Sequence, residues 1–179
     1  MARASQREII LDAFQDLIVG VGAASVTLEA AAARAGVSKG GVLYHFPSKS
    51  DLFAGLCDRL AAVIDETIAD APDDPAEVVR WYIESATDVV ASENNLWLAL
   101  FAANDAVEDD VARLLSDLFA RYSLPLNVLP PVLGEHVRLV GDGLYFNALV
   151  GGPTATAEHI AQIVDVLVAG IPPGGENAD

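Results

Sequence analysis

Apolar side chains recur along this chain at the 3.6-residue period of an amphipathic helix and nowhere at the two-residue period of a strand pair. Ile9, Ile10, Ala13, Phe14, Leu17 and Ile18 mark the first helix, with Gly20 and Gly22 as its stops. Thr27 is placed to cap a helix over Leu28–Ala35, and Gly36 stands at the left-handed position that follows. Ser38 caps a third, short helix that runs to about His45. Pro47 closes it, and Ser48-Lys49-Ser50-Asp51 resembles a capping box for a fourth helix from Lys49 to about Asp70. Beyond the break at Ala71–Pro75 the pattern predicts helices over residues 76–92, 96–103, 108–122, 132–150 and 155–169. A Pro-rich link spans 124–131, and three glycines (Gly134, Gly141, Gly143) weaken the penultimate helix. Ile160, Ile163, Val164 and Leu167 form one stripe on the last. The fold class is all-α.

Composition narrows the class. The 179 residues are 53% hydrophobic and 20% charged, enough for a packed core and too apolar for a disordered chain. No apolar run reaches the roughly 18–20 residues that span a bilayer, and the charged N-terminus does not read as a signal peptide, so no membrane partner and a cytoplasmic location are expected. The single cysteine, Cys57, excludes an internal disulfide and a multi-cysteine metal site. The three histidines are scattered, with Glu135-His136 and Glu158-His159 as the only acidic neighbours of interest. No metal, cofactor or catalytic residue is expected.

Net charge of -16 argues against nucleic acid until its distribution is considered. Residues 1–50 carry Arg3, Arg7, Arg34, Lys39 and Lys49 against Glu8, Asp12, Asp16 and Glu29, a balance of +1, so the rest holds -17. Both lysines of the protein lie in that opening segment. An acidic remainder steers the body away from a polyanion and leaves one end available to it.

That end has the pattern of a helix-turn-helix. Gly36 allows a sharp turn, Val37 fills the angle, and Ser38 opens a recognition helix whose inward face is Val42, Leu43 and Phe46. Lys39-Gly40-Gly41 is a costly first turn, since each helical glycine loses about 1 kcal/mol against alanine. Close approach of a DNA backbone explains the choice. Tyr44 and His45 can reach a phosphate or a base edge. Lys49, with the free N–H groups at the start of the fourth helix, can hold a phosphate.

Val26-Thr27-Leu28, Ala32 through Phe46, Pro47-Ser48-Lys49 and Leu52 together resemble the DNA-binding domain of TetR-type regulators over residues 5–55. The departures are the alanine run Ala30-Ala31-Ala32 and Gly41 beside Gly40. The resemblance implies a three-helix DNA-binding head over residues 1–48, a helical effector-binding and dimerisation body over 49–171, and a loose tail over 172–179. It implies a homodimer, most commonly a repressor, that binds double-stranded DNA at a palindromic operator and is released by a small effector. Thr27, Ser38, Lys39, Gly40, Tyr44, His45 and Lys49 are the implied DNA contacts. In the body, Trp81, Trp97, Phe101, Phe119, Tyr122, Tyr145 and Phe146 are candidate pocket aromatics, with Asn104, Asn147 or His136 as polar anchors for an apolar or aromatic ligand. The last two long helices are the candidate dimer interface. Against this stand a small helical enzyme without a recognisable catalytic motif and a helical DNA-binding adaptor that has lost its ligand.

Overall fold

The computed structural model describes residues 5–87, 100 and 109–172. Every regular element among them is helical: α1 Gln6–Val21, α2 Leu28–Ala35, α3 Lys39–His45, α4 Lys49–Ala69, α5 Pro75–Thr87, α6 Asp109–Tyr122, α7 Pro131–Leu149 and α8 Ala157–Ala169. Short 3-10 turns at Ala23–Ser25 and Leu124–Val128 lie in two of the connections. None of the described helices is long and apolar enough to cross a membrane. The expected helix over 96–103 and the end of the one over 76–92 lie outside the described residues, as does most of the expected tail.

Local chemistry sets most of the boundaries. Ser5, Thr27, Ser38 and Thr156 each accept a hydrogen bond from an amide three residues on, which satisfies one of the free N–H groups of a first helical turn. Ser48 and Asp51 form the reciprocal capping box: Asp51 N–H donates to Ser48 Oγ at 3.1 Å, and Ser48 N–H donates to Asp51 Oδ2 at 2.8 Å. One expected stop moves. Gly20 is a residue of α1, and Gly22, at φ 81°, ends it by donating its N–H to Ile18 O. A helix stops where the backbone turns left-handed, and Gly20 has no need to.

Residue contacts divide the chain into two compact units, residues 1–65 with 91–120, and residues 66–90 with 121–179. In the first, α1 packs on α2 and α2 on α3. Ile10, Leu11, Phe14, Ile18, Ala31, Ala32, Val42 and Phe46 are buried, as are Leu52, Phe53 and Leu56 from the first half of α4. The rings of Phe14 and Phe53 meet edge-on with centroids 4.9 Å apart, and Arg59 reaches back to Glu8 and Asp12 on α1 at 2.6 and 2.8 Å. The first half of α4 therefore packs into the core of the N-terminal helices.

The second unit has its own core. Val78, Val79, Tyr82 and Ile83 of α5 pack with Leu126, Leu129, Leu133, Val137, Val164 and Leu167. Here α7 runs unbroken through its three glycines because two of them serve packing. A side chain at Gly141 would place its Cβ 2.5 Å from the Tyr82 ring, and one at Gly134 would come within 3.3 Å of Leu126 O. Tyr82 is buried, and its hydroxyl donates to Asp142 Oδ1 at 3.4 Å. Arg138 donates to Asp142 Oδ2 and to Glu135 Oε1, each at 2.6 Å. Burial raises the Asp142 carboxyl, with Arg138 opposing, and burial likewise drives the Tyr82 hydroxyl well above its ordinary range.

Candidate nucleic-acid interface

Gly36 adopts the left-handed conformation, φ 68° and ψ 29°, between α2 and α3. Its N–H donates to Ala33 O at 3.3 Å while Val37 N–H donates to Ala32 O at 3.0 Å, a Schellman pair that closes α2. Two residues later Ser38 Oγ accepts from Gly41 N–H at 3.0 Å and opens α3. Two short helices joined by a single glycine-centred turn are a helix-turn-helix.

Val42 and Phe46, one turn apart, anchor α3 to the core. Leu43 was expected beside them and is instead 38% exposed. It lies about 100° round the helix from Val42, off the buried stripe. Lys39, Gly40 and Tyr44 are exposed on α3, the last at 84%, and the Tyr44 ring meets the half-buried His45 ring edge-on at 5.0 Å. A buried tyrosine finds its hydroxyl a partner within the fold; a tyrosine this exposed, on a short helix, leaves its hydroxyl and the free face of its ring open to solvent.

The glycine pair carries more information than the tyrosine. A Cβ at Gly40 would meet nothing closer than Ser38 Oγ at 3.8 Å, and one at Gly41 would meet that atom at 3.4 Å. Both are ordinary contacts, so the fold accepts alanine at either position. About 1 kcal/mol of helix propensity is forgone at each glycine with no internal compensation.

The remaining sequence-derived contacts are engaged inside the head. Thr27 Oγ1 caps α2 by accepting from Ala30 N–H at 3.1 Å. Lys39 Nζ lies 2.6 Å from Glu29 Oε1, and Lys49 Nζ donates to Ala23 O at 2.6 Å. Asp51 occupies the start of α4, so its carboxylate stands where the free N–H groups were expected to hold a phosphate. Arg7 pairs with Glu8 and Asp58, Arg34 with Asp16, and Arg59 with Glu8 and Asp12. Burial opposes ionisation of Glu8, but Arg59 and Arg7 together outweigh it and hold the carboxyl below its usual range. Glu29 was not among the residues singled out from sequence. The spacing of ten residues between Glu29 and Lys39 has no helical meaning until the turn brings α2 and α3 together.

In the body, Trp81 and Tyr122 flank Tyr82 with ring centroids 6.3 and 5.2 Å from it, and Ser85 Oγ lies 2.8 Å from Tyr122 Oη. Tyr145 is half-buried on α7, whereas Phe119 and Phe146 are exposed. Trp97, Phe101 and Asn104 lie outside the described residues. A cavity of about 350 Å³ opens beside the link between α7 and α8, lined by Thr87, Leu144, Asn147, Pro153, Thr154 and Ile160 among others. Of the candidate ligand residues among those described, Asn147 is the one that lines it, and His136 stands exposed on α7. Cys57 is buried and its thiol is pushed up to about 11 by burial, then by Asp58, which keeps it protonated as a core residue.

Residues 10–56 match the model of the bacterial regulatory proteins of the tetR family, and residues 76–171 match that of the tetracyclin repressor-like C-terminal domain. The chain belongs to the TetR family. It is a TetR-family transcriptional regulator, with a DNA-binding helix-turn-helix head and a helical body. The same fold is seen in the multidrug binding protein EbrR complexed with malachite green, at TM-score 0.74 and 20% identity over 95% of this chain and 100% of that one. A TetR-family member from Streptomyces coelicolor A3 aligns at TM-score 0.73 and 19% identity over 95% and 100% of the two chains. A protein from Saccharomonospora viridis in complex with choline aligns at 0.67 and 21% over 92% and 95%. No curated protein matches the sequence.

Proposed function

We propose that this TetR-family chain is a homodimeric repressor in the cytoplasm that holds a palindromic operator through α3 of each protomer and lets go when a small effector binds its body. The observation that carries the DNA face is the pair Gly40 and Gly41, which the fold does not require and which opens the backbone of α3 to a phosphate or base. Around it, Tyr44 and His45 offer donors to the duplex, Ser38 and Thr27 stand at helix starts, and Lys39 and Lys49 supply charge once they exchange their internal partners. Paired recognition helices enter successive major grooves about 34–36 Å apart. Footprinting of the DNA that flanks this protein's own gene should reveal a protected palindrome with that half-site spacing. Tyr44→Ala should weaken binding to it about tenfold or more, both heads counted; wild-type affinity in the variant would remove Tyr44 from the interface.

For the dimer, Val132, Leu139 and Phe146 are exposed along one side of α7, Val150 is exposed just past its end, and Val166 is exposed on α8. The first three repeat every seven residues, the period that keeps a helix face toward a partner helix. A second copy covers that face. Sedimentation at micromolar concentration should give twice the 18.8 kDa chain mass, and a mass of one chain would reject the interface.

The effector reading rests on the cavity beside Asn147, whose lining is largely apolar with the Asn147 amide and two threonine hydroxyls as polar anchors. It also draws on the ligands held by EbrR and by the Saccharomonospora protein. Release requires that the effector bind the conformation with misplaced heads more tightly than the DNA-bound one.

A further inference from the structure

The head of a DNA-binding protein is expected to display unpaired cations. Among the described residues of 5–65, Arg7, Arg34, Lys39 and Arg59 each face a carboxylate, and Lys49 is bonded to a backbone carbonyl. Arg34 and Arg59 tie to carboxylates of α1, Lys49 binds a neutral carbonyl, and Arg7, paired with Glu8 and Asp58, stacks over the Phe46 ring at 5.3 Å. The remaining tie involves the recognition helix itself: Glu29 lies in the first turn of α2 and Lys39 in the first turn of α3, next to Gly40. Their charged atoms are 2.6 Å apart, and both side chains are more than half exposed.

We propose that Glu29 is a specificity-determining carboxylate that holds Lys39 away from phosphate and so suppresses binding to DNA of arbitrary sequence. This deepens the reading of α3 as the DNA-binding element and rests on it.

The physical argument is one of exchange. A phosphate that takes Lys39 must displace a carboxylate already within hydrogen-bond distance, and it leaves that carboxylate near the DNA backbone, where like charges repel. Backbone contacts supply most of non-specific affinity, so blocking one cation weakens every sequence alike. Contacts made by Tyr44 and the glycine backbone at a correct site are untouched and offset the loss there. The Glu29 carboxyl is held below its ordinary range chiefly by the hydrogen bond from Lys39, with its own backbone N–H also contributing, so the competitor stays ionised across the neutral range.

A purely structural role predicts the opposite sign. If the pair only braces α2 against α3, its loss loosens the head and DNA binding falls. The two are separated with full-length protein and a labelled mixed-sequence duplex long enough for two half-sites, with anisotropy followed across a salt series. Glu29→Gln should bind about threefold more tightly per head, so about tenfold for a dimer, and its affinity should fall more steeply with salt. In a Lys39→Ala background the same substitution should change little. Unchanged or weaker binding by Glu29→Gln overturns the proposal, as does a gain that persists without Lys39. Failure of the wild-type protein to bind any duplex would instead overturn the reading of α3 as the DNA-binding element.

Discussion

Phe14→Ala is expected to abolish duplex binding by melting the head. Phe14 has no exposed surface and sits edge-on to Phe53, with Ile10, Leu11, Ile18 and Leu56 also fully or almost fully buried. Removing a buried aromatic ring costs about 3–5 kcal/mol, the sum of lost transfer energy and a cavity that the neighbours fill only in part. A domain has about 5–15 kcal/mol in all, and a unit this small sits at the lower end. α3 has only Val42 and Phe46 as buried anchors, so it cannot stay in place once the helices beneath it loosen. Hydrogen exchange should show wild-type protection in α5 and α7 and near-complete loss in α1 to α3. Retained protection in α1 would show that the Phe14 site collapses around the smaller side chain.

The second large effect lies in the body. Gly141→Leu should destabilise that unit by about 3 kcal/mol, at the upper end of what overpacking costs. The Cβ alone would stand 2.5 and 2.8 Å from two carbons of the Tyr82 ring. Tyr82 has little room to retreat: it is buried, Trp81 and Tyr122 lie against it, and its hydroxyl is tied to Asp142. Gly141→Ala meets the same ring with its one carbon, but gains about 1 kcal/mol of helix propensity, so its net cost should be smaller. Thermal unfolding gives the test through a double-mutant cycle. Gly141→Ala should cost less in a Tyr82→Leu background than in the wild type, and equal costs would show that the ring is not what excludes the side chain.

The two sites differ in how far they can be read from the chain. Thr27, Gly36, Ser38 and the Ser48–Asp51 box are visible in sequence because a cap, a left-handed glycine and a helix start are set by chemistry within three or four residues. The same locality makes the exposed residues of α3 legible, since Lys39, Gly40 and Tyr44 share one short helix whose buried side is given by Val42 and Phe46. Leu43 shows the limit: hydrophobicity alone assigned it inward, and the phase of a seven-residue helix turned it out.

Everything that depends on a partner distant in sequence had to wait for the tertiary structure. The three glycines of α7 read as weaknesses, and two of them are close-packing sites, because the Tyr82 ring and the Leu126 carbonyl arrive from other elements. The aromatic and polar candidates of the body suggested a pocket without saying which face each would take. Tyr122 went to the Tyr82 cluster, Phe146 to the surface, and Asn147 to the cavity. The pattern Gly36 to Leu52 by itself determined a helix-turn-helix. Only the fold revealed that Glu29 stands on Lys39 and Ala23 on Lys49, because ion pairs and carbonyl contacts across a turn are set by the packing angle of helices.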